Sequence, residues 1–344
     1  MRTAVIFFLL TASLFSQTWV FQESHTKESL RGVSAVNRQV VWASGTHGTY
    51  LRTANRGNTW TPAQVPGAES LDFRDVEAFS EDLAYLLAAG PGERSRIYKT
   101  SDGGTHWDLQ FTNHEPKGFL DCMSFWDSQR GIVVGDPVNG KFQLLTTEDG
   151  GQHWNYINPE SFPPARDGEG AFAASGTCIT TQGTGNVWFV TGGSAARVFR
   201  SNDSGKTWGV SETPIMHGPA SAGIFSIAFR DAKHGVIAGG DYKEPEKGEA
   251  NLATTDDGGK TWKLVRLSQQ KYFSAIVYVG GRYGGVFAGG STSIGFSTDG
   301  SFSWKQFKPA KVNAMGSDHF SSVWTVGPEG SISRAELPLV VTVD

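Results

Sequence analysis

The residues of this chain that could take part in chemistry are charged and aromatic side chains spread over most of its length. Cleavage of a glycosidic bond usually needs two carboxylates flanking the bond, and guanidinium groups can clamp a substrate carboxylate through paired hydrogen bonds. The chain offers both kinds of group. The candidates are Arg31, Arg74, Asp75, Asp121, Arg166, Glu169, His217, Asp241, Tyr242, Lys271 and Tyr272.

One subset of these residues could support hydrolysis. Its candidate catalytic groups are Glu169, Tyr272 and Asp121. The guanidinium groups would come from Arg31, Arg74 and Arg166. No motif links these residues, so the sequence identifies no catalytic set. The elements that place them therefore decide whether they can act together.

A short motif recurs along the chain: Ser or Thr, any residue, Asp, any residue, Gly, any two residues, Trp. Two degenerate copies are recognisable, because Asn55 replaces the Asp in one and Ser301 replaces the Gly in the other. A repeat every ~40–50 residues is typical of one four-stranded blade of a β-propeller. The intact copies lie at 100–107, 147–154, 201–208 and 255–262, and the degenerate ones at 53–60 and 297–304.

The residue types of the motif predict a tight hairpin. Asp and Ser or Thr side chains can hydrogen-bond backbone N–H groups within a turn, and Gly supplies a positive φ. We therefore interpret the acidic residues as turn formers rather than metal ligands, namely Asp102, Asp149, Asp203, Asp257 and Asp299. The tryptophans are interpreted as packing residues between blades rather than a sugar-stacking platform: Trp60, Trp107, Trp154, Trp208, Trp262 and Trp304.

The segments around the motifs predict seven blades. Each repeat begins with an inner strand and a second strand that ends in Gly, the third strand runs into the motif, and the fourth starts at the Trp. Three strands but no fourth follow Trp304, whereas 17–23 resembles an unpaired fourth strand. We predict an all-β, seven-bladed β-propeller at 17–338 in which the N-terminal strand completes the last blade, followed by a tail at 339–344.

The predicted propeller places its longest loops on one face. Loops from a fourth strand to the next inner strand, and from a second strand to a third, meet on the face opposite the motif hairpins. The loops at 158–176, 212–223 and 239–251 are the longest of these. Because long loops on a rigid scaffold are where function concentrates, we expect the candidate residues to form a ligand- or partner-binding face there.

Composition narrows the partners. The chain has 344 residues with 43 Gly and 11 Trp, and its formal net charge is −4. A nucleic-acid partner is not expected, because such proteins normally carry a basic surplus. Neither a cofactor nor a metal site is predicted, since the eight His are scattered and two Cys cannot form a zinc site.

The N-terminus predicts export. Arg2 precedes an apolar run from 4 to 15, which is too short to span a bilayer and is followed by Ser16. This pattern is typical of a signal peptide at 1–16 and predicts a periplasmic, lumenal or extracellular location. Cys122 and Cys178 could be two small buried side chains or, after export, one disulfide. The sequence leaves that choice open.

The repeated motif is similar to the Asp box of the bacterial neuraminidase repeat, which occurs in sialidases and in non-enzymatic propellers. The segment typical of sialidases (Phe or Tyr, Arg, Ile, Pro) is absent, and the nearest stretch, Leu30 to Val33, lacks the Pro. Sialidase domains also commonly carry six blades rather than seven. A site similar to that of sialidases would use Glu169 and Tyr272 as the nucleophilic pair, Asp75 or Asp121 as the acid, and arginines such as Arg31, Arg74 and Arg166 as the clamp for a substrate carboxylate.

Over roughly residues 17–337, the chain resembles the photosystem II stability/assembly factor family. The resemblance rests on strand, Gly, strand, motif runs such as 131–151 and 235–259. It implies an exported, non-catalytic scaffold that binds an exported or membrane-associated protein and is at most peripheral to the membrane, and we expect a monomer. The long, irregular insertions within blades 4 and 5 depart from the family pattern, so the resemblance does not imply the same partner. The alternative is an extracellular glycoside hydrolase of sialidase type, or a glycan-binding propeller.

Overall fold

Seven antiparallel sheets, each built on four strands, form a closed β-propeller in the computed structural model of the chain. The structure describes residues 19–248, 250–266, 271–280, 285–297, 305–307 and 311–337. The predicted all-β, seven-bladed fold is confirmed. The predicted signal peptide and C-terminal tail lie outside the described residues, as do Asp299 and Trp304.

The strands are numbered in chain order and grouped by blade. Blade 1 contains β2 (Leu30–Ala35), β3 (Val41–Gly45), β4 (Thr49–Thr53) and β5 (Thr61–Gln64). Blade 2 contains β6 (Phe73–Ala78), β7 (Ala84–Ala88), β8 (Arg96–Thr100) and β9 (Asp108–Thr112). Blade 3 contains β10 (Leu120–Phe125), β11 (Gly131–Val138), β12 (Lys141–Thr147) and β13 (Asn155–Tyr156). Blade 4 contains β15 (Ile179–Gln182), β16 (Asn186–Val190), β18 (Arg197–Ser201) and β19 (Gly209–Glu212). Blade 5 contains β20 (Ala222–Phe229), β21 (Gly235–Asp241), β22 (Leu252–Thr255) and β23 (Lys263–Leu264). Blade 6 contains β24 (Ala275–Val279), β25 (Gly285–Gly289), β26 (Ile294–Ser297) and β27 (Lys305–Phe307). Blade 7 contains β28 (Ala314–Ser317), β29 (Ser322–Val326), β30 (Ile332–Glu336) and β1 (Val20–Gln22).

Two short strands lie outside this pattern. β14 (Glu169–Gly170) and β17 (Gly192–Gly193) add to the inner edge of blade 5, which makes its sheet six-stranded. Short 3-10 helices at Gly92–Arg94, Pro159–Ser161 and Pro328–Gly330 occur in the connections.

The N-terminal strand closes the ring as predicted. β1 pairs antiparallel with β30, and Val20 lies opposite Arg334. At the same junction, the Leu30 backbone N–H donates to the Gly327 carbonyl at 3.0 Å, and the Asn313 side-chain amide donates to the Leu30 carbonyl at 2.8 Å. Blade 7 is thus made from both ends of the described chain, which joins the first and last blades.

Polar side chains on or beside the inner strands form hydrogen bonds with the backbone of the neighbouring blade, either accepting from an N–H group or donating to a carbonyl. The bonds run from Ala78 N to Ser34 Oγ (3.1 Å), from Met123 N to an Asp75 carboxylate oxygen (2.7 Å), from Ile276 N to Ser226 Oγ (2.9 Å) and from Ser274 Oγ to the Val312 carbonyl (2.9 Å). Short polar side chains on the inner strands therefore fasten the blades around the central channel.

The recurring motif forms the predicted hairpin. The Thr100 hydroxyl accepts from Gly104 N at 2.9 Å and donates to the Asp102 carboxylate at 3.0 Å. The same carboxylate accepts from His106 N at 2.9 Å, which lowers the pKa of Asp102 to about 2. Equivalent bonds recur in the copies at 147–154, 201–208 and 255–262.

These hairpins also join neighbouring blades. The Tyr50 hydroxyl of blade 1 donates to the Gly104 carbonyl of blade 2 at 2.7 Å, and the Trp188 indole of blade 4 donates to the Gly258 carbonyl of blade 5 at 2.9 Å. The Trp107 ring packs edge-on against Tyr50 at 5.0 Å between centroids. In the described blades, the motif aromatics are therefore packing residues, as interpreted from the sequence.

The structure settles the state of the two cysteines. Cys122 on β10 and Cys178, next to β15, form a disulfide with a Cα–Cα distance of 6.0 Å. The bond links the inner strands of blades 3 and 4. The sequence alone could not decide this, because the proximity is created by the ring and not by a local motif.

The motif hydroxyl gives a direct test of this account. Replacing it in Thr100→Val leaves the buried Gly104 N–H without its acceptor, so we expect the free energy of unfolding to fall by about 1–3 kcal/mol. Urea denaturation measures the change. Thr100→Ser keeps the hydroxyl and should retain most of the stability. Equal stability of the two variants would show that the hydroxyl does not hold the hairpin.

Candidate functional site

The face opposite the motif hairpins, here called the upper face, carries the connection from β13 to β15. The second half of that connection crosses the channel mouth instead of following the rim. We call residues 171–177 the plug segment. Hydrogen bonds join this segment to four blades. Arg74 Nη1 of blade 2 donates to the Ala173 carbonyl (3.0 Å), and Ala171 N donates to the Asp136 carboxylate of blade 3 (3.0 Å). Ser175 Oγ donates to the Ser274 carbonyl of blade 6 (2.8 Å), and the Thr177 hydroxyl is bonded to the Ser226 hydroxyl of blade 5 (2.6 Å).

An aromatic stack holds the plug segment down. The Phe172 and Phe225 rings are stacked, with 4.1 Å between centroids and 4° between planes. Gly192 makes this approach possible, because a Cβ there would lie 2.1 Å from the Phe172 ring. On its other side Phe225 contacts the edge of Tyr272 at 4.9 Å, and burial raises the pKa of Tyr272 well above its ordinary value.

Two arginines and one carboxylate lie at the channel mouth. Arg74 Nε donates to Asp72 at 2.8 Å. Arg31, on β2, has a buried Nε without a hydrogen-bond partner in the described structure. Burial and the neighbouring Arg74 guanidinium lower the pKa of Arg31. Arg74 is thus paired with Asp72, whereas the Arg31 guanidinium keeps an unused donor.

Beneath the arginines lies a group of carboxyls. Burial raises the pKa of Asp75 and of Asp121 well above the ordinary value, and it raises the pKa of Asp136 to about 6 and that of Glu77 to about 8. One oxygen of Asp121 is buried without a hydrogen-bond partner. Asp75, Asp121 and Asp136 accept hydrogen bonds from backbone N–H groups, and Asp121 also lies near Arg74. They fasten the plug segment and the inner strands, and they offer little surface to a ligand.

Glu169 has a structural role. Its fully buried carboxylate forms an ion pair with Arg197, whose Nε donates to it at 2.8 Å. It also accepts from the Thr191 hydroxyl at 2.6 Å and from Arg166 N at 2.8 Å. Glu169 forms no hydrogen bond with Tyr272, so the nucleophilic pair considered from the sequence is not assembled.

The remaining predicted residues lie around the rim of the upper face. Arg166 pairs with Glu212 at 2.6 Å, and both side chains are exposed. The His217 ring is within 2.9 Å of the Ile215 carbonyl, and Lys271 pairs with Glu246 at 3.0 Å. Tyr242 is 49% exposed, whereas Asp241 is buried and accepts from Lys243 N. The accessible part of the rim therefore carries charges of both signs, such as Arg166 and Glu212, together with Tyr242.

Several important residues escaped the sequence reasoning. Arg197 is the first residue of a third strand and resembles an ordinary strand residue, and the sequence pattern around Phe225 is that of a core residue. Asp136 lies in a short stretch, 135–139, that the sequence places on the same face, but no role was predicted for its side chain. Asp72 lies two residues before Arg74 and could have been recognised as its partner. The others depend on contacts made across blades.

Metal binding and membrane spanning receive no support within the described residues. No group of three or more His, Cys, Asp or Glu side chains there could hold a metal ion. In the same part of the chain, no helix has the length and apolar character needed to cross a membrane.

Comparison with known proteins gives the relationship. No protein-family model matches the chain. Photosystem II assembly lipoprotein Ycf48 from Synechococcus sp. (strain CC9902) is 25% identical over 237 residues, which are 68% of this chain and 61% of that protein. The chain is similar to photosystem II assembly factors. A second relative, the chloroplastic photosystem II stability/assembly factor HCF136 of Oryza sativa subsp. japonica, is 26% identical over 113 residues, or 32% of this chain and 25% of its own.

Solved structures confirm the architecture. The structure of YCF48 bound to a D1 peptide has a TM-score of 0.68 with 16% identity, and the match covers 93% of this chain and 97% of the other. The RRP9 WD40 repeats give a TM-score of 0.66 at 10% identity over 93% of this chain and 97% of the other. The match to Ycf48 spans less than two thirds of that relative's length. The resemblance to the photosystem II assembly factors is confirmed, and the structural likeness shows the propeller fold.

The buried ion pair predicts a large asymmetry between two arginines. Arg197→Met leaves the Glu169 carboxylate buried without its counter-charge, so we expect a loss of about 3–5 kcal/mol in unfolding free energy. Arg166→Met removes an exposed pair and should cost about 1 kcal/mol or less. Chemical denaturation of both variants measures the difference. Similar losses would mean that the Glu169–Arg197 pair does not stabilise the plug connection.

The raised pKa of Glu77 predicts a pH effect. The folded chain holds a proton at Glu77 up to about pH 8, whereas the unfolded chain releases it near 4.5. Stability contributed by this group therefore falls as the pH rises through that window. The unfolding free energy of Glu77→Gln, relative to that of the wild type, should therefore increase by about 1–2 kcal/mol when the pH is raised from 5 to 8. This figure allows for screening at the half-buried site.

Urea midpoints at the two pH values measure this gain. The exposed Glu148→Gln variant serves as the control and should show no such gain. A Glu77→Gln variant that follows the wild type across the window would contradict the prediction.

Proposed function

We propose that the chain is an exported, non-catalytic assembly factor whose upper face binds a segment of a membrane-associated protein partner. The similarity to Ycf48 and HCF136, both named as photosystem II assembly factors, supports this proposal. The solved structure of YCF48 with a D1 peptide supports a peptide as the kind of ligand. The predicted signal peptide would place the protein in the periplasm, lumen or extracellular space, and we propose that it acts as a monomer.

The observation that carries the proposal is the pair of arginines at the channel mouth. Arg74 pairs with the Asp72 carboxylate, whereas the buried Arg31 Nε has no hydrogen-bond partner in the described structure. Guanidinium groups favour carboxylates with paired hydrogen bonds. An acidic or carboxylate-ended peptide would supply an acceptor for the unused Arg31 donor.

The plug segment determines how such a peptide would lie. Because residues 171–177 are bonded to blades on both sides of the channel mouth, a ligand would rest on the face rather than enter the channel. Tyr242, half-exposed beside Phe225, could pack against an apolar side chain of the peptide. We propose no glycoside hydrolysis, because Glu169 is bound by Arg197 and no described contact favours that reaction.

A peptide titration tests the proposal. The probe is a fluorescently labelled D1 peptide of the kind bound to YCF48, and fluorescence anisotropy measures its affinity. Wild-type protein should bind it saturably, and the double variant Arg31→Gln, Arg74→Gln should bind at least about tenfold more weakly. Asp121 and Glu169 are unsuitable targets, because both are buried and their loss would disturb the fold.

The matched control removes two exposed charges from the opposite face. Lys206→Gln with Lys260→Gln should leave the affinity unchanged. Circular dichroism and thermal denaturation establish that each variant is folded. Absence of binding by the folded wild type would overturn the proposed function, and unchanged binding by the arginine variant would exclude the upper face.

A further inference from the structure

The side opposite the upper face carries a cleft between blades 4 and 5. Its volume is about 450 Å³, enough for a small organic molecule. The motif hairpins at 201–208 and 255–262 form its two walls, and Trp188 and Gly209 contribute to its lining. No role in the proposed function uses this cleft.

A guanidinium group with an unused donor lies in the cleft. Arg200, on β18, has a buried Nη1 without a hydrogen-bond partner in the described structure. Third-strand cations of earlier blades are satisfied by the neighbouring blade: Arg52 donates to the Glu81 carbonyl at 2.8 Å, and Lys99 donates to the Gly150 carbonyl at 2.7 Å. Arg200 thus keeps donor capacity that its counterparts have spent.

Gly209 provides room for the guanidinium. It lies opposite Arg200 in the sheet, and a Cβ at this position would be 3.1 Å from the guanidinium carbon. Its backbone does not require Gly, because its φ is not positive. The residue after the Trp carries a side chain in the other motif copies: Thr61, Asp108, Asn155, Lys263 and Lys305. The missing side chain thus leaves the space in which the Arg200 guanidinium lies.

The charges around Arg200 are also unbalanced. Lys233 and Lys260 line the same cleft, and their ammonium groups pair with no acidic side chain in the described part of the chain. The lining carboxylate, Asp257, accepts from the backbone N–H groups of Lys260 and Thr261 and from two hydroxyls of its own hairpin. Three cations therefore face a single carboxylate that is already engaged.

The cleft between blades 3 and 4 has nearly the same volume, about 440 Å³, and differs in charge. Its Arg130 pairs with Asp127 at 2.8 Å. Glu148 faces the same space as Lys206. Equal size with balanced charge makes this second cleft a natural control for the first.

We infer that the cleft between blades 4 and 5 binds a phosphate group, carried by a small soluble molecule or by a lipid headgroup. A phosphate oxyanion accepts several hydrogen bonds at once and suits a fixed guanidinium flanked by two ammonium groups. The engaged Asp257 carboxylate leaves the site with a net positive charge.

Binding of defined probes tests this inference on the full chain. Isothermal titration with inorganic phosphate and with glycerol 3-phosphate, together with sedimentation with phosphatidylglycerol vesicles, covers both sources. Saturable binding of the soluble probes supports a free phosphate compound, and sedimentation with the vesicles alone supports a headgroup. If the folded protein binds neither the soluble probes nor the vesicles saturably, the inference is overturned.

Two variants locate the site. Arg200→Met should weaken binding at least tenfold, and Gly209→Asp should abolish it by placing a carboxylate over the guanidinium, at a position where blade 2 already carries Asp108. Lys206→Met, in the control cleft, should leave binding unchanged. If Arg200→Met does not fold, Gly209→Asp decides alone. Binding that survives Gly209→Asp places the phosphate elsewhere and overturns the assignment.

Discussion

The structure depends on closing a ring of seven sheets. A sheet on its own exposes unpaired backbone groups at its edges, and a propeller limits this exposure by packing every blade between two others. Here the last blade is completed by the first described strand, so Val20 pairs with Arg334 across the closure. The interior follows from that requirement: short polar side chains on the inner strands take up the backbone groups of the next blade, and the motif hairpins accept hydrogen bonds from aromatic residues of the previous one.

The upper face shows how an insertion can become part of the ring. The plug segment crosses the channel mouth, and its contacts include the Arg74 guanidinium, the Asp136 carboxylate and the Phe225 ring. Residues that could have been catalytic in isolation are used to hold it. Glu169 is the clearest case, because Arg197 and Thr191 consume its carboxylate. The surface of this face that remains accessible is a charged rim.

The opposite side follows the same logic with a different result. Within each motif hairpin the side chains bond the backbone of the same turn, and in blades 1 and 2 the neighbouring cation, Arg52 or Lys99, donates to a carbonyl of the next blade. Blade 4 departs from this rule through one missing side chain at Gly209 and one unsatisfied guanidinium at Arg200. A repeat architecture makes such a departure visible, because each blade serves as the reference for the others.

The sequence by itself determined the fold, the number of blades, the turn-forming role of residues such as Asp102 and the closure by the N-terminal strand. It could do so because the motif and the strand pattern are local and repeated. It also indicated which face the long loops occupy. Only the tertiary structure decided that Cys122 and Cys178 pair, that Glu169 belongs to Arg197 and that residues 171–177 cover the channel. Those contacts join residues that the ring brings together from different blades, and no local pattern encodes which side chains will meet across it.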